Sequence, residues 1–157
     1  MKKFFESLLY EHPNILYEGP VVDLRLSYYL SEKEASDGVA CIYYDVCLHN
    51  KYKAIGSIDL RLTMNEMMYY YGHIGYSILK KYQGHHYAYE ACKLLLDIAK
   101  EEYHLKELII TCNPDNIASY KTIEKLGATL KEVSEVPRDH ELYQKGDRYK
   151  CIFTIKL

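Results

Sequence analysis

The segment from His73 to Cys112 constrains this chain most. It holds an apolar strand-like run, His73 to Leu79, a glycine turn, a long helical pattern from about His85 to Tyr103, and a second apolar run, Leu108 to Cys112. Along the helical pattern Ala88, Ala91, Cys92, Leu95 and Ala99 share one stripe, which Leu94, Leu96 and Ile98 widen, so this helix should be well buried. Leu108 to Cys112 is apolar on both faces, as expected of a central strand parallel to the one before the helix. Strand, helix and strand make a crossover unit. The turn within it, Tyr82 to Ala91, places Gly84 ahead of the helix. Helix-first-turn N–H groups lack intrahelical partners and the macrodipole adds positive charge there, so such a junction suits an anion. The plainer alternative is a glycine that only turns the chain, with His85 and His86 facing solvent.

Upstream, Val22, Leu24, Leu26 and Tyr28 alternate with Asp23, Arg25 and Ser27, the period of a strand with one wet face. Val39 to Leu48 reads as a second strand, and Ala54 to Thr63 alternates most cleanly, with Gly56, Ile58, Leu60 and Leu62 on one face and Ser57, Asp59 and Arg61 on the other. These strands suit an antiparallel meander. A short amphipathic helix is expected at Lys2 to Tyr10, ended by His12 and Pro13. Downstream, Asp115 or Asn116 can cap a helix over Ile117 to Leu126 that Gly127 ends in the left-handed conformation. Leu130 to Val136 and Lys150 to Leu157 read as closing strands joined by a polar loop, Pro137 to Arg148. The whole order suits one mixed α/β domain over residues 1–157.

With 157 residues, 48% of them hydrophobic, the chain can bury a core without metals or disulfides. Its five cysteines lie in apolar patterns without a Cys-x-x-Cys pair, so buried thiols are expected rather than zinc ligands or bridges. No apolar run reaches the roughly 18 residues of a membrane span, and Glu6 interrupts the one leader-like start, so a cytoplasmic location is expected. A net charge of −2 and the lack of a long basic patch give no basis for nucleic-acid binding. The 18 tyrosines include Tyr69, Tyr70 and Tyr71, which suit a pocket wall or a subunit contact, and an exposed tyrosine-rich strand offers an edge for a homodimer.

Three motifs stand in order: Gly75 to Ile78, Gln83 to Ala88, and Asn113 to Ser119 followed by Glu124 to Ala128. Together they resemble the GNAT superfamily of acyl-CoA-dependent N-acetyltransferases, closely from Ile74 to Ala128. The resemblance implies a mixed, mostly antiparallel sheet with a splayed parallel strand pair and helices on both faces. It implies acetyl-CoA as cosubstrate, with no metal. Gln83 and Ala88 match the pyrophosphate-binding pattern, together with Gly84, His85, His86 and Tyr87; His86 stands where a second glycine is usual. Pantetheine would enter the V between the splayed strands, meeting the backbone of Tyr76 and Ile78, the amide of Asn116 and the hydroxyl of Ser119.

The implied reaction is direct attack of a primary amine, on a small molecule or a protein, on the thioester within a ternary complex. A lysine-like amine has a pKa of about 10.4 and must first lose a proton. His73 is the expected base, with Asp59, Glu66 and Glu141 as further candidates. The family often places a tyrosine acid seven residues after the asparagine matching Asn116, but Ile123 stands there; Tyr120 is the nearest alternative. The acceptor is expected near the N-terminal helix, the acidic connection Glu32 to Asp37 and the late loop with His140 and Glu141. A second reading, a non-catalytic acyl-CoA-binding sensor or interaction module, follows from His86 and Ile123.

Overall fold

In the structure, a computed structural model that describes residues 15–157, eight strands form two sheets. Strands β1 (Leu16–Glu18), β2 (Val22–Leu30), β3 (Cys41–Leu48), β4 (Ala54–Arg61) and β5 (Ile74–Ile78) form one antiparallel meander in that order. Helix α1 (Tyr87–Glu101) follows β5. The second sheet is built from β6 (Glu107–Cys112), β7 (Thr129–Glu135) and β8 (Tyr149–Lys156) in the order β6-β8-β7. Helix α2 (Ile117–Lys125) connects β6 to β7, and a short helix α3 (Glu141–Gln144) lies in the late loop. The helix expected at Lys2 to Tyr10 lies outside the described residues.

Register explains the core. Leu24 pairs with Val46, Val46 with Gly56 and Gly56 with Ile78, while Tyr44 pairs with Ile58 and Ile58 with Tyr76. Rows of apolar side chains therefore share one face, against which α1 buries Ala91, Cys92, Leu95, Ile98 and Ala99. At about 25 cal/mol per Å² this apolar burial is the main force holding helix to sheet. All five cysteines are buried free thiols.

Two expectations need correction. Tyr28 does not continue the face of Leu24 and Leu26: a register shift between Leu26 and Tyr28 turns it over, where it stacks on Tyr43 with ring centroids 4.3 Å apart. The polar loop after Pro137 contains α3, whose N-terminal amide at Leu142 donates to His140 Nδ1 at 3.1 Å. Such a side-chain cap carries no hydrophobic period and is hard to see in sequence.

The sheets meet where the chain enters β5. Gly72 and Ile110 form an isolated antiparallel bridge, and the His73 N–H donates to the Ile109 carbonyl at 2.7 Å. From there β5 and β6 belong to separate sheets, and the opening between them is the splay the motifs imply. Gly72 has φ +75°, and a Cβ there would lie 2.8 Å from the Ile109 carbonyl oxygen, so only glycine lets the backbones approach.

Candidate active site

The free edge of β5 forms one wall of a cleft of about 700 Å³. Backbone bonds from the Arg61 N–H to the His73 carbonyl and from the Leu79 N–H to the Ile55 carbonyl bracket the pairing with β4. By antiparallel alternation, Tyr76 and Ile78 therefore turn their N–H and C=O groups away from β4, toward the cleft. Gln83 changes this picture: its amide donates to the Ile78 carbonyl at 2.8 Å, so that carbonyl is already engaged and Gln83 clamps the end of the strand.

The second wall is α2. Asn116 caps it, its Oδ1 accepting from the Ser119 N–H at 3.2 Å, and this exposed residue lines the cleft. The Tyr76 hydroxyl and Ser119 Oγ lie 2.6 Å apart, a bond that joins the two walls. Burial pushes the Tyr76 phenol up to about 12, although its bonds to Ser119 and Thr122 pull the other way.

At the end of the cleft the turn at Gly84, with φ +82°, leads into α1. His86 is the N-cap residue, and its φ of 63° is left-handed, which accounts for the glycine usual at that position. No side chain caps α1, whereas α2 and α3 are capped by Asn116 and His140. The first-turn amides of a 15-residue helix thus open toward the cleft beside Lys121 and Lys125.

Tyr76, Ile78, Gln83, Gly84, His86, Tyr87, Ala88, Asn116 and Ser119 all line this one cleft. His85 does not: its ring stacks on Tyr87 and its Nδ1 lies 2.9 Å from the Gln83 carbonyl. Tyr120 also lies outside the lining, its ring edge-on to Phe153 with centroids 5.1 Å apart. His73 is buried, and its Nδ1 accepts the Ile109 N–H at 2.8 Å, so the lone pair a base would need holds the two sheets together. Burial lowers its pKa. Neither residue is placed for the catalytic role expected of it.

Lys121, Thr122 and Lys125 also line the cleft, a contribution that sequence reasoning missed. Their mutual spacing of one, three and four residues, which puts them on one face of α2, is the signal that could have found them.

A second cavity of about 970 Å³ borders the first at Tyr70 and is lined by Met64 to Met67, Tyr69 and the late-loop residues Asp139, His140 and Glu141. His140 is held in place, its Nε2 lying 2.7 Å from the Met67 carbonyl while Nδ1 caps α3. Glu141 is held by Lys145 and the Tyr71 hydroxyl, bonds that lower its pKa. The acidic connection expected to attract an amine does local work instead: Glu34 accepts from the Ser31 N–H and hydroxyl, and Asp37 accepts from the Val39 N–H. Away from both cavities, Glu18, Asp23 and His49 have ligand-type atoms within 4.8 Å of one another. Asp23 there accepts N–H groups of Gly19 and Asn50 and bonds His49, which staples two turns together.

Comparison with known proteins agrees with this geometry. The family model described as the acetyltransferase (GNAT) domain matches residues 20–129. The uncharacterized N-acetyltransferase YnaD of Bacillus subtilis (strain 168) is 33% identical over 84 residues, 54% of this chain and 48% of that protein, so the match spans about half of the curated relative's length. The ribosomal-protein-S5-alanine acetyltransferase of Vibrio fischeri has a similar structure, with a TM-score of 0.67 at 16% identity over 91% of this chain and 97% of that one. RimL, a ribosomal L7/L12 α-N-protein acetyltransferase solved with coenzyme A, superposes with a TM-score of 0.65 at 14% identity over 91% and 98% of the two chains. At such identities these two structures bear on the fold alone.

Proposed function

Because the chain belongs to the GNAT acetyltransferase family, we propose that it moves an acetyl group from acetyl-CoA to a primary amine by direct attack within a ternary complex. One observation carries this reading: the uncapped N-terminus of α1 opens onto the same cleft as the free edge of β5. Phosphates suit the first, through amides, dipole and the nearby Lys121 and Lys125. An extended amide-bearing arm suits the second, since it can pair with a strand edge as another strand would. The Tyr76 N–H and C=O, the Ile78 N–H and the Asn116 amide are the groups for that arm. Backbone N–H groups of β5 that face the thioester would stabilise the oxyanion formed on attack.

The cavity bordering Tyr70 is the proposed acceptor site, because it adjoins the cofactor cleft and carries Glu66, Asp139 and Glu141 in its lining. Similar structures named for acting on ribosomal proteins make peptide α-amines the first acceptors to try, ahead of small-molecule amines.

The test is calorimetric titration with acetyl-CoA and coenzyme A, followed by release of coenzyme A thiol with a peptide and amine panel. Binding should weaken in a Lys121→Ala/Lys125→Ala variant, and its dependence on salt should become shallower because two phosphate-facing cations are gone. Failure of the folded wild-type protein to bind acetyl-CoA overturns the proposal. Tight binding without turnover of any amine would instead favour the sensor reading, for which the buried Ile123 at the usual tyrosine position speaks.

A further inference from the structure

Building on the acetyl-transfer reading above, we infer that Asp59 is the proton acceptor for the attacking amine. On β4, Ile58 and Leu60 face α1, so Asp59 projects from the opposite face of the sheet, next to Gly75 on β5. Its two oxygens are treated differently. Oδ2 is held by Arg61 Nη1 at 3.2 Å and by the Cys41 thiol at 3.6 Å. Oδ1 lies over the α-carbon of Gly75, where a Cβ would come within 2.7 Å of it. Gly75 itself lines the cofactor cleft, and Asp59 sits directly behind it, outside the lining, with only the missing side chain's space between its carboxylate and the wall of the site.

Of the other candidates, Glu66 lines the second cavity rather than the cofactor cleft, and the rest are otherwise engaged. His73 Nδ1 takes the Ile109 N–H, and both ring nitrogens of His140 are bonded. Glu141 is exposed and paired with Lys145, which favours its charged form and makes it a weaker base. Asp59 differs in direction: burial raises its pKa, and only partly do Arg61, Cys41 and the Gly75 N–H offset this. The groups facing it are Cys41 and, through Cys41, Tyr43 from β3, Arg61 from its own strand, and Asp37 from the preceding connection.

The proton balance is simple. An ammonium gives one proton to Asp59, directly or through one water, and Asp59 passes it to solvent. The neutral nitrogen forms a C–N bond with the thioester carbon. As the C–S bond breaks, the second proton leaves nitrogen and the departing thiolate gains one, so each turnover gives amide, free thiol and one released proton.

Asp59→Asn keeps the shape and removes the base. The probes are methylamine, an ammonium at neutral pH, and hydroxylamine, of similar size and already neutral there. With methylamine the variant should lose about 100-fold or more in kcat/KM, whereas with hydroxylamine the loss should stay within about fivefold. The acid limb of the methylamine pH profile should disappear with it. Acetyl-CoA affinity, measured by calorimetry, should be unchanged, which separates failure of this assignment from failure of the cofactor reading. Equal loss with both nucleophiles, or no loss with methylamine, overturns the assignment. Should Asp59→Asn not fold, carboxyl ¹³C NMR of the wild-type protein serves: one aspartate should titrate above the ordinary range and shift on adding acetyl-CoA, and the lack of such a resonance overturns it.

Discussion

Gly72→Ala tests the joint on which the cleft depends. A left-handed residue with a Cβ costs about 1 kcal/mol more than glycine at φ +75°. The new methyl carbon would also lie 2.8 Å from the Ile109 carbonyl oxygen and 3.3 Å from the Ile110 α-carbon, backbone atoms that no rotamer change can move aside. Forcing them apart adds about 2 kcal/mol by the usual range for overpacking. The sum, about 3 kcal/mol, corresponds to a fall in Tm of roughly 10 °C for a chain of this size. Gly127→Ala is the control: φ is +90° there, yet nothing lies within 4 Å of the new Cβ, so only the conformational part, about 1 kcal/mol, should be lost. Urea unfolding of both variants, with midpoints and slopes compared, gives the difference. If the two lose the same stability within about 0.5 kcal/mol, the close approach of the two sheets at Gly72 is wrong. The account of how the cleft is held open at its base would fall with it.

Asn116→Ala should cost about 1 kcal/mol, because it removes the cap on the Ser119 N–H, and urea midpoints that do not move would show the cap absent in solution. Stability should also fall as pH drops below about 6.5, because unfolded His73 binds a proton there that the buried, pKa-lowered folded form resists. His73→Gln retains an acceptor for Ile109 and should flatten that limb of the stability curve; an unchanged slope would refute the assignment. Tyr76→Phe removes the hydroxyl that bonds Ser119 and should cost about 1 kcal/mol, and thermal unfolding indistinguishable from wild type would mean the walls are not joined there.

Much of the fold was legible because its signals are local. The alternation of Ile58 and Leu60 with Asp59, and the stripe through Ala91, Leu95 and Ala99, each report a period that only one element type can bury. The cleft residues were legible for a related reason: Gly84 and Asn116 mark a turn and a cap, and ligand sites are often built at such helix starts. Roles that depend on a partner far away in sequence were not legible. His73 reads as a titratable residue at a strand start, yet it serves Ile109 across 36 residues. Gln83 reads as a phosphate ligand, yet it donates to the Ile78 carbonyl. Tyr28 reads as inward-facing until one extra residue in its strand turns it outward.

By itself, then, the order of apolar periods, glycines and caps determined a strand-helix-strand unit beside a meander, and placed an anion-accepting turn at Gly84. Those features follow from steric and solvation rules that act within a few residues. The tertiary structure alone decided which polar groups are free. It engaged His73, His140 and Gln83 in bonds across the fold, paired the Tyr76 phenol with Ser119, and set one oxygen of Asp59 against Gly75 at the cleft wall. Whether a side chain can move a proton depends on who already holds its lone pairs and how much water reaches it, and both are properties of the packed chain.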